Sequence, residues 1–385
     1  MKILYISSPF FADCDFPLIK KLQNRGYDVT YLILLTPYSL KSTLFSIKNQ
    51  IKRNEIIPAT EYSELKRYEK YMDMCKTFIA NRVANRDSSF LSLVMTFKII
   101  SFIKKGKFDV IHTDCMFSMW NMVLYWIYGH KMVQTIHDPF PHTGENSLRK
   151  KWSYNWSIRL AKKIILLNSK QKDEFCRIYN VDSNRIVLNE LGVYDNILSF
   201  INPKIREKNC NVLFFGRISP YKGLEYLCEA MMKVKEKIPD VTFTIAGGGK
   251  MYFDVKPSEK CNWIEIRNHY IEMEELAEVL QQCSITVCPY IDATQSGVIM
   301  TSYALCKPVV ATNVGGLCEM IDDDKSGVLI QPKSSTLLAD AIIKLLNDSE
   351  RLKAMQQYIK QTYLDGYKSW DVITERYVSC YKTFS

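Results

Sequence analysis

The residues best equipped for chemistry lie in the second half of the chain. In FFGRISPYKGLEYL (214–227), Gly216, Arg217 and Lys222 fall just past a strand-like run and before a helix-like one. A guanidinium offers a planar fork of donors and an ammonium a mobile point charge, a pairing suited to a diphosphate. In ATQSGVIMTSYALCKPVVATNVGGLCEMI (293–321), a polar loop with Thr294, Gln295, Ser296 and Gly297 opens an apolar helix and carries no carboxylate and no metal ligand. At such a junction the N–H groups of Ser296, Gly297 and Val298 lack intrahelical acceptors and have the helix dipole behind them, which suits an anion, above all a phosphate. Ser296 also fits a plain N-cap.

A second concentration is TIHDPFPHTGE (135–145), with His137, Asp138, His142 and Glu145 just past another strand-like run. Metal binding is the competing use of these residues, but Pro139 and Pro141 break the helical histidine spacing a metal site would use, so no metal is expected. The N-terminal loop SSPFFADCDF lacks the Gly-rich turn of a dinucleotide site, which excludes a nicotinamide-binding reading; no cofactor is expected. Ser7 and Ser8 remain free to approach a diphosphate across a cleft. Phe10 and Phe11 either stack on a sugar or fill core.

Elements must bring these loops together. KILYIS (2–7), FPLIKKLQNRGY (16–27, closed by Gly26) and DVTYLILL (28–35) read as a βαβ opening. After a basic, helical insertion, further strands are expected at 108–114, 131–138 and 162–169, the last followed by a helix. SFINPKIREKNC (199–210) interrupts the pattern, and alternation resumes with strands at 211–215, 241–249, 262–267, 285–290, 308–312 and 327–332 and helices at 223–238, 272–283 and 296–306. Two α/β, Rossmann-like, doubly wound domains follow, with ligands beyond the carboxyl ends of their strands.

The 385 residues exceed what one core usually organises, and 47% apolar with 24% charged residues is a globular composition. The twelve cysteines are scattered without CxxC pairs, so free thiols are expected; the N-terminus lacks a cleavage-site pattern, which points to the cytoplasm. The stretches 90–103 and 116–129 are too short and interrupted to span a bilayer; 116–129 reads as a buried core helix, while 90–103, ending in KKGK, stays open to lying on an anionic membrane surface. Net charge is +10, and 41–107 alone holds fourteen Lys or Arg against six acids. Such a face suits anionic headgroups or a polyanionic acceptor, with a merely solvated surface as the alternative. No nucleic-acid-binding signature accompanies it, so no nucleic acid is expected.

FFGRISPYKGLEYL, TIAGGG, ATQSGVIMTSYALCKPVVATNVGGLCEMI and SGVLIQP resemble, in order and spacing, the retaining nucleotide-sugar glycosyltransferases of family 4. TIHDPFPHTGE and SWDVITERY extend the resemblance. It implies the GT-B fold: an acceptor-binding domain over 1–200, a nucleotide-sugar-binding domain over 201–364, and a C-terminal helix in 365–385 crossing back to the first. One departure stands out. Many relatives carry two glutamates seven residues apart around the helix start, where this chain has Ala293 and Thr301 in an ATQSG-type variant. Thr301, Thr294 and a displaced Asp292 are then the candidates for ribose and sugar contacts.

The resemblance also implies the reaction: metal-independent, hexosyl-type transfer from a nucleoside-diphosphate sugar to a hydroxyl of a glycan or lipid-linked acceptor, with retention, in bacterial surface polysaccharide or glycolipid synthesis. His137 takes the place beside the transferred sugar, with Asp138 orienting it, Glu145 meeting the acceptor and His142 in the cleft or stabilising its loop. Gly216, Arg217, Lys222 and Gln295 through Val298 hold the diphosphate. A sugar-nucleotide epimerase of the same fold or a non-catalytic sugar-nucleotide-binding subunit are the rival readings.

Overall fold

The computed structural model describes residues 1–42, 44, 46–114, 119–140, 148–253 and 261–384. The chain divides into two units, Met1–Leu191 with Trp370–Ser385, and Gly192–Ser369.

The first unit is built on β1 (Lys2–Ser7), β2 (Asp28–Leu35), β3 (Glu55–Pro58), β4 (Thr77–Asn81), β5 (Val110–Thr113), β6 (Met132–Ile136), β7 (Lys163–Leu166) and β8 (Ile186–Leu188), in the order β3-β4-β2-β1-β5-β6-β7-β8. Every pairing is parallel except β3 with β4. Near-continuous burial of β1, β2, β5 and β6 is what a sheet covered on both faces requires. Its helices are α1 (Ala12–Asn24), α2 (Phe90–Gly106), α3 (Met122–Tyr128), α4 (Leu148–Leu160) and α5 (Lys172–Tyr179). Because β2 and β5 flank β1 on opposite sides, the strand order reverses there, and the crevice beyond their carboxyl ends is where such sheets bind ligands.

The second unit holds β9 (Asn211–Phe215), β10 (Thr242–Ala246), β11 (Ile264–Arg267), β12 (Ile285–Cys288), β13 (Val309–Thr312) and β14 (Gly327–Ile330), ordered β11-β10-β9-β12-β13-β14 and all parallel. Reversal falls between β9 and β12. The helices α6 (Leu224–Lys237), α7 (Met273–Gln282), α8 (Gly297–Ala304), α9 (Leu317–Met320), α10 (Ser335–Leu346) and α11 (Ser349–Ile359) complete it.

Four expectations are corrected. The first boundary falls at Leu191/Gly192, not 200/201, because Val193 and Ile197 are already buried and Tyr194 N–H donates to Met300 O at 3.2 Å. The second falls at Ser369/Trp370, not 364/365, since Lys368 Nζ is still tied to Asp322 at 2.8 Å while α12 (Trp370–Lys382) pairs with α1 through Lys21–Asp371 and Arg25–Glu375, both 2.8 Å. The basic insertion is not generally helical: between 41 and 89 it forms β3, β4 and short 3-10 turns, and Arg53, Lys76 and Arg82 pair with Glu61, Asp28 and Asp87. Finally, α3 is a core helix on one face only: Met122, Leu124 and Tyr125 are buried, but Trp126 is 70% exposed.

Candidate active site

In the first unit, the carboxyl ends of β1, β5 and β6 present Ser7, Asp114 and His137. His137 is mostly buried, and its Nε2 lies 3.1 Å from Asp114 Oδ2. Phe11 stacks on the imidazole, with ring centroids 4.4 Å apart. Asp114 also accepts from Tyr5 Oη at 2.9 Å and lies 3.3 Å from His112 Nε2. Behind it, Asp15 in the first turn of α1 accepts from Tyr31 Oη at 2.8 Å and hydrogen-bonds the Asp114 carboxyl.

Two carboxyl groups in one buried site do not both ionise. Burial and the charge of Asp114 push Asp15 well above the usual carboxylate range. Burial alone would raise Asp114 too, but the His137 hydrogen bond and the His112 charge outweigh it and hold Asp114 below its ordinary value. Asp114 is therefore the ionised member and can only accept, so the hydrogen between it and His137 sits on Nε2, fixing the His137 tautomer while the ring is neutral. Burial lowers His112 to about 4; it bridges Tyr381 Oη at 2.5 Å and Thr135 Oγ1 at 2.7 Å as a neutral ring.

The carboxylate that orients His137 is thus Asp114, not the expected Asp138, which is exposed and whose carbonyl accepts from Tyr154 Oη at 3.0 Å. Asp114 was present in FDVIHTD as the last residue of an expected strand, and a carboxylate at a strand's carboxyl end was the available signal. Ser8 Oγ caps the turn by accepting from Phe10 N–H at 3.2 Å, which leaves its O–H to donate, and Ser7 hydrogen-bonds Asp15. Phe10 is half exposed and Phe11, rather than Phe10, makes the aromatic contact. His142 and Glu145 lie outside the described residues. Among the described residues, Cys14, Asp114 and His137 bring ligand atoms within 4.8 Å of one another, a spacing open to a metal ion. Within the chain the Cys14 thiol donates to Phe11 O at 3.0 Å.

In the second unit, Gly216 follows β9 with φ +111, and a Cβ there would lie 3.5 Å from Val298, so the β9 loop and the start of α8 are neighbours. Arg217 is exposed, 3.5 Å from Tyr221 Oη. Lys222 closes a 3-10 turn, Pro220–Lys222, that precedes α6. Its ammonium is buried, donates to Tyr290 Oη at 2.5 Å and sits 3.8 Å from the centre of that ring. Burial lowers it to about 8, and Arg217 pushes the same way. Among the described residues no carboxylate pairs with it.

Ser296 occupies the N-cap of α8 in extended conformation, yet its hydroxyl does not cap; it meets Tyr290 Oη at 3.2 Å. The Ser296 side chain therefore leaves the N–H groups of Gly297 and Val298 uncapped. Thr294 is buried and Gln295 and Asp292 are partly exposed in the preceding loop. Thr301 is buried with its hydroxyl donated to Gly297 O at 2.8 Å, which leaves the oxygen as an acceptor. Beside this set, a cavity of about 720 Å³ is lined by Ile218, Ser219, Pro220, Lys250, Met251, Tyr252 and Phe253.

A buried ammonium and a helix start whose N-cap side chain does not cap it suit an anion. The Glycosyltransferase Family 4 model matches residues 17–195 and the Glycosyl transferases group 1 model residues 198–362. The chain belongs to the group 1, family 4-like glycosyltransferases. An uncharacterized glycosyltransferase of Methanocaldococcus jannaschii is 26% identical over 57% of this chain and 59% of its own length. The alpha-D-kanosaminyltransferase of Streptomyces kanamyceticus is 25% identical over 54% of this chain and 57% of its own. The alignments thus span less than two thirds of these relatives. The crystal structure of Anabaena HepE with UDP has a TM-score of 0.68 at 16% identity, covering all of both chains, so the chain shares the GT-B fold of that protein.

Proposed function

We propose that this glycosyltransferase moves a hexosyl group from a nucleoside-diphosphate sugar to a hydroxyl of a glycan or lipid-linked acceptor, with retention and without a metal ion. The observation that carries the proposal is Lys222: a buried ammonium lowered to about 8 with no carboxylate partner among the described residues, in the same unit as Arg217 and the start of α8. That set lacks a counter-ion and a diphosphate supplies one. The UDP in the HepE structure supports a nucleotide donor.

In this reading the bond from the anomeric carbon to the diphosphate oxygen breaks, and a bond to the acceptor oxygen forms on the same face. The acceptor proton passes to the departing phosphate oxygen. Arg217, Lys222 and the Gly297 and Val298 N–H groups take up the charge that builds on the leaving group. His137, with Nε2 committed to Asp114, contacts the transferred sugar from the first unit, which also takes the acceptor. Surface polysaccharide or glycolipid synthesis at the cytoplasmic face of a membrane is the setting that suits a lipid-linked acceptor.

The test is a panel of nucleoside-diphosphate sugars incubated with lipid-linked and oligosaccharide acceptors, read for product and anomeric configuration. Transfer with retention supports the proposal. Donor conversion without acceptor would show an epimerase instead, and binding without turnover a sugar-nucleotide-binding subunit.

A further inference from the structure

The helices α2, α3 and α4 cover one face of the first sheet, sharing a core with β1, β2, β5 and β6 through Met95, Ile99, Met122 and Tyr125. α2 and α3 run side by side, with Thr96 Oγ1 donating to Asn121 Oδ1 at 3.2 Å and Tyr128 Oη to Ile100 O at 3.5 Å. With their apolar faces spent on the sheet, their outer faces should be polar. They are not: Phe90 is 76% exposed, Phe97 60%, Trp126 70% and Trp152 52%. Trp126 and Trp152 each lean on Trp156, with ring centroids 6.3 and 6.2 Å away, so the exposed indoles form one ridge across α3 and α4 rooted in the core.

Charge on these helices is equally one-sided. α2, α3 and α4 contain no Asp or Glu but seven Lys or Arg, in a chain whose acids otherwise nearly match its bases. Lys104 and Lys105 are exposed in the last turn of α2, where no ion pair is found among the described residues, and Lys98 lies 3.8 Å from Glu55. Among the described residues, no helix is long and apolar enough to cross a membrane.

We propose that the outer face of α2, α3 and α4 docks on the surface of an anionic phospholipid bilayer, with Phe97, Trp126 and Trp152 at headgroup depth and Lys104 and Lys105 on the phosphates. Exposed aromatic patches mark interaction sites, and indoles beside cations, without acids, match the amphipathic boundary of an acidic leaflet. A second copy of this chain fits less well, since an isologous contact would set the same cations against each other. The inference deepens the lipid-linked acceptor of the preceding reading, but binding needs neither donor nor acceptor, so it stands or falls separately from transfer.

The experiment is flotation of the full chain with phosphatidylcholine vesicles, with and without phosphatidylglycerol, across a salt series. Wild type should float with phosphatidylglycerol vesicles and detach as salt rises. Lys104→Glu/Lys105→Glu should lower partitioning at least about 5-fold per lysine. Trp126→Ser/Trp152→Ser should lower it roughly 10-fold or more at unchanged charge and melting temperature; Phe97→Ser serves if that double variant fails to fold. Flotation indifferent to phosphatidylglycerol, wild-type flotation by the folded variants, or a tryptophan-dependent dimer that ignores vesicles would each overturn the proposal.

Discussion

Replacing Lys222 with methionine should make the protein more stable and less active at once. The ammonium is lowered from 10.5 to about 8 by burial, so keeping it charged at neutral pH costs the fold about 3 kcal/mol at 1.36 kcal/mol per pKa unit. Methionine removes that cost with similar volume, and Tyr290 Oη keeps its contact with Ser296. After the hydrogen bond and ring contact to Tyr290 are subtracted, a net gain of about 1 to 3 kcal/mol remains. Loss of charge stabilisation on the leaving diphosphate should meanwhile cost about 2 to 4 kcal/mol in kcat/KM, roughly 30- to 1,000-fold.

The pH dependence has a defined sign. Between pH about 8 and 10.5 the unfolded chain binds more protons at this lysine than the folded one, so the contribution of Lys222 to stability improves as pH rises through that window. Donor affinity should run the other way and weaken above about pH 8, as the ammonium is lost. Calorimetry with UDP just above pH 8, in buffers of different ionisation enthalpy, should show proton uptake on binding in the wild type and none in Lys222→Met. Denaturant unfolding supplies the stability arm. A Lys222→Met protein destabilised by several kcal/mol, or one with wild-type turnover, would refute the assignment of this lysine as a counter-ion awaiting its anion.

His137→Ala should depress transfer by about 10² or more with UDP affinity near wild type, because the diphosphate contacts belong to the second unit; parallel loss of both in calorimetry and turnover would reject the role. Asp114→Asn should also slow transfer by about 10²-fold and move the acidic limb of the pH–rate profile, since the amide no longer fixes the hydrogen on His137 Nε2; an unshifted profile at full activity would reject it. Chelation should leave transfer intact if cations and N–H groups carry the leaving-group charge; strict dependence on manganese or magnesium would contradict this.

The alternation of buried strands and amphipathic helices was legible because it is a local signal: KILYIS, DVTYLILL and NVLFF are long enough apolar runs to announce themselves. Where the signal is not local, it was missed. β3 is a four-residue edge strand ending in Pro58, and β8 has three residues, so neither shows a period. The exposed indole of Trp126 was invisible because MFSMWNMVLYWIYG is apolar all round and reads as core from sequence. Asp15 and Asp114 lie about a hundred residues apart in sequence and meet only because β1 and β5 pair in parallel register, Ile6 opposite Thr113, beneath the first turn of α1.

The same distinction explains the positions where relatives carry glutamates. Ala293 and Thr301 look like vacancies in a binding motif when only the alignment of residue types is considered. In the structure both are occupied by other duties. The Ala293 carbonyl accepts from Gly316 N–H at 3.2 Å, and Gly315, at φ +48, approaches that carbonyl so closely that a Cβ would lie 1.7 Å from it. Ala293 itself is 3% exposed, and its side chain offers no hydrogen-bonding group. Thr301 spends its hydroxyl on Gly297 O in the first turn of α8. The Thr301 oxygen can still accept a hydrogen bond, and the same unit offers a ligand the cations of the β9 loop and the N–H groups at the start of α8. In the proposed reading, donor recognition rests on positive charge and backbone donors rather than on carboxylates at these two positions, which puts the diphosphate, rather than the ribose, at the centre of the affinity.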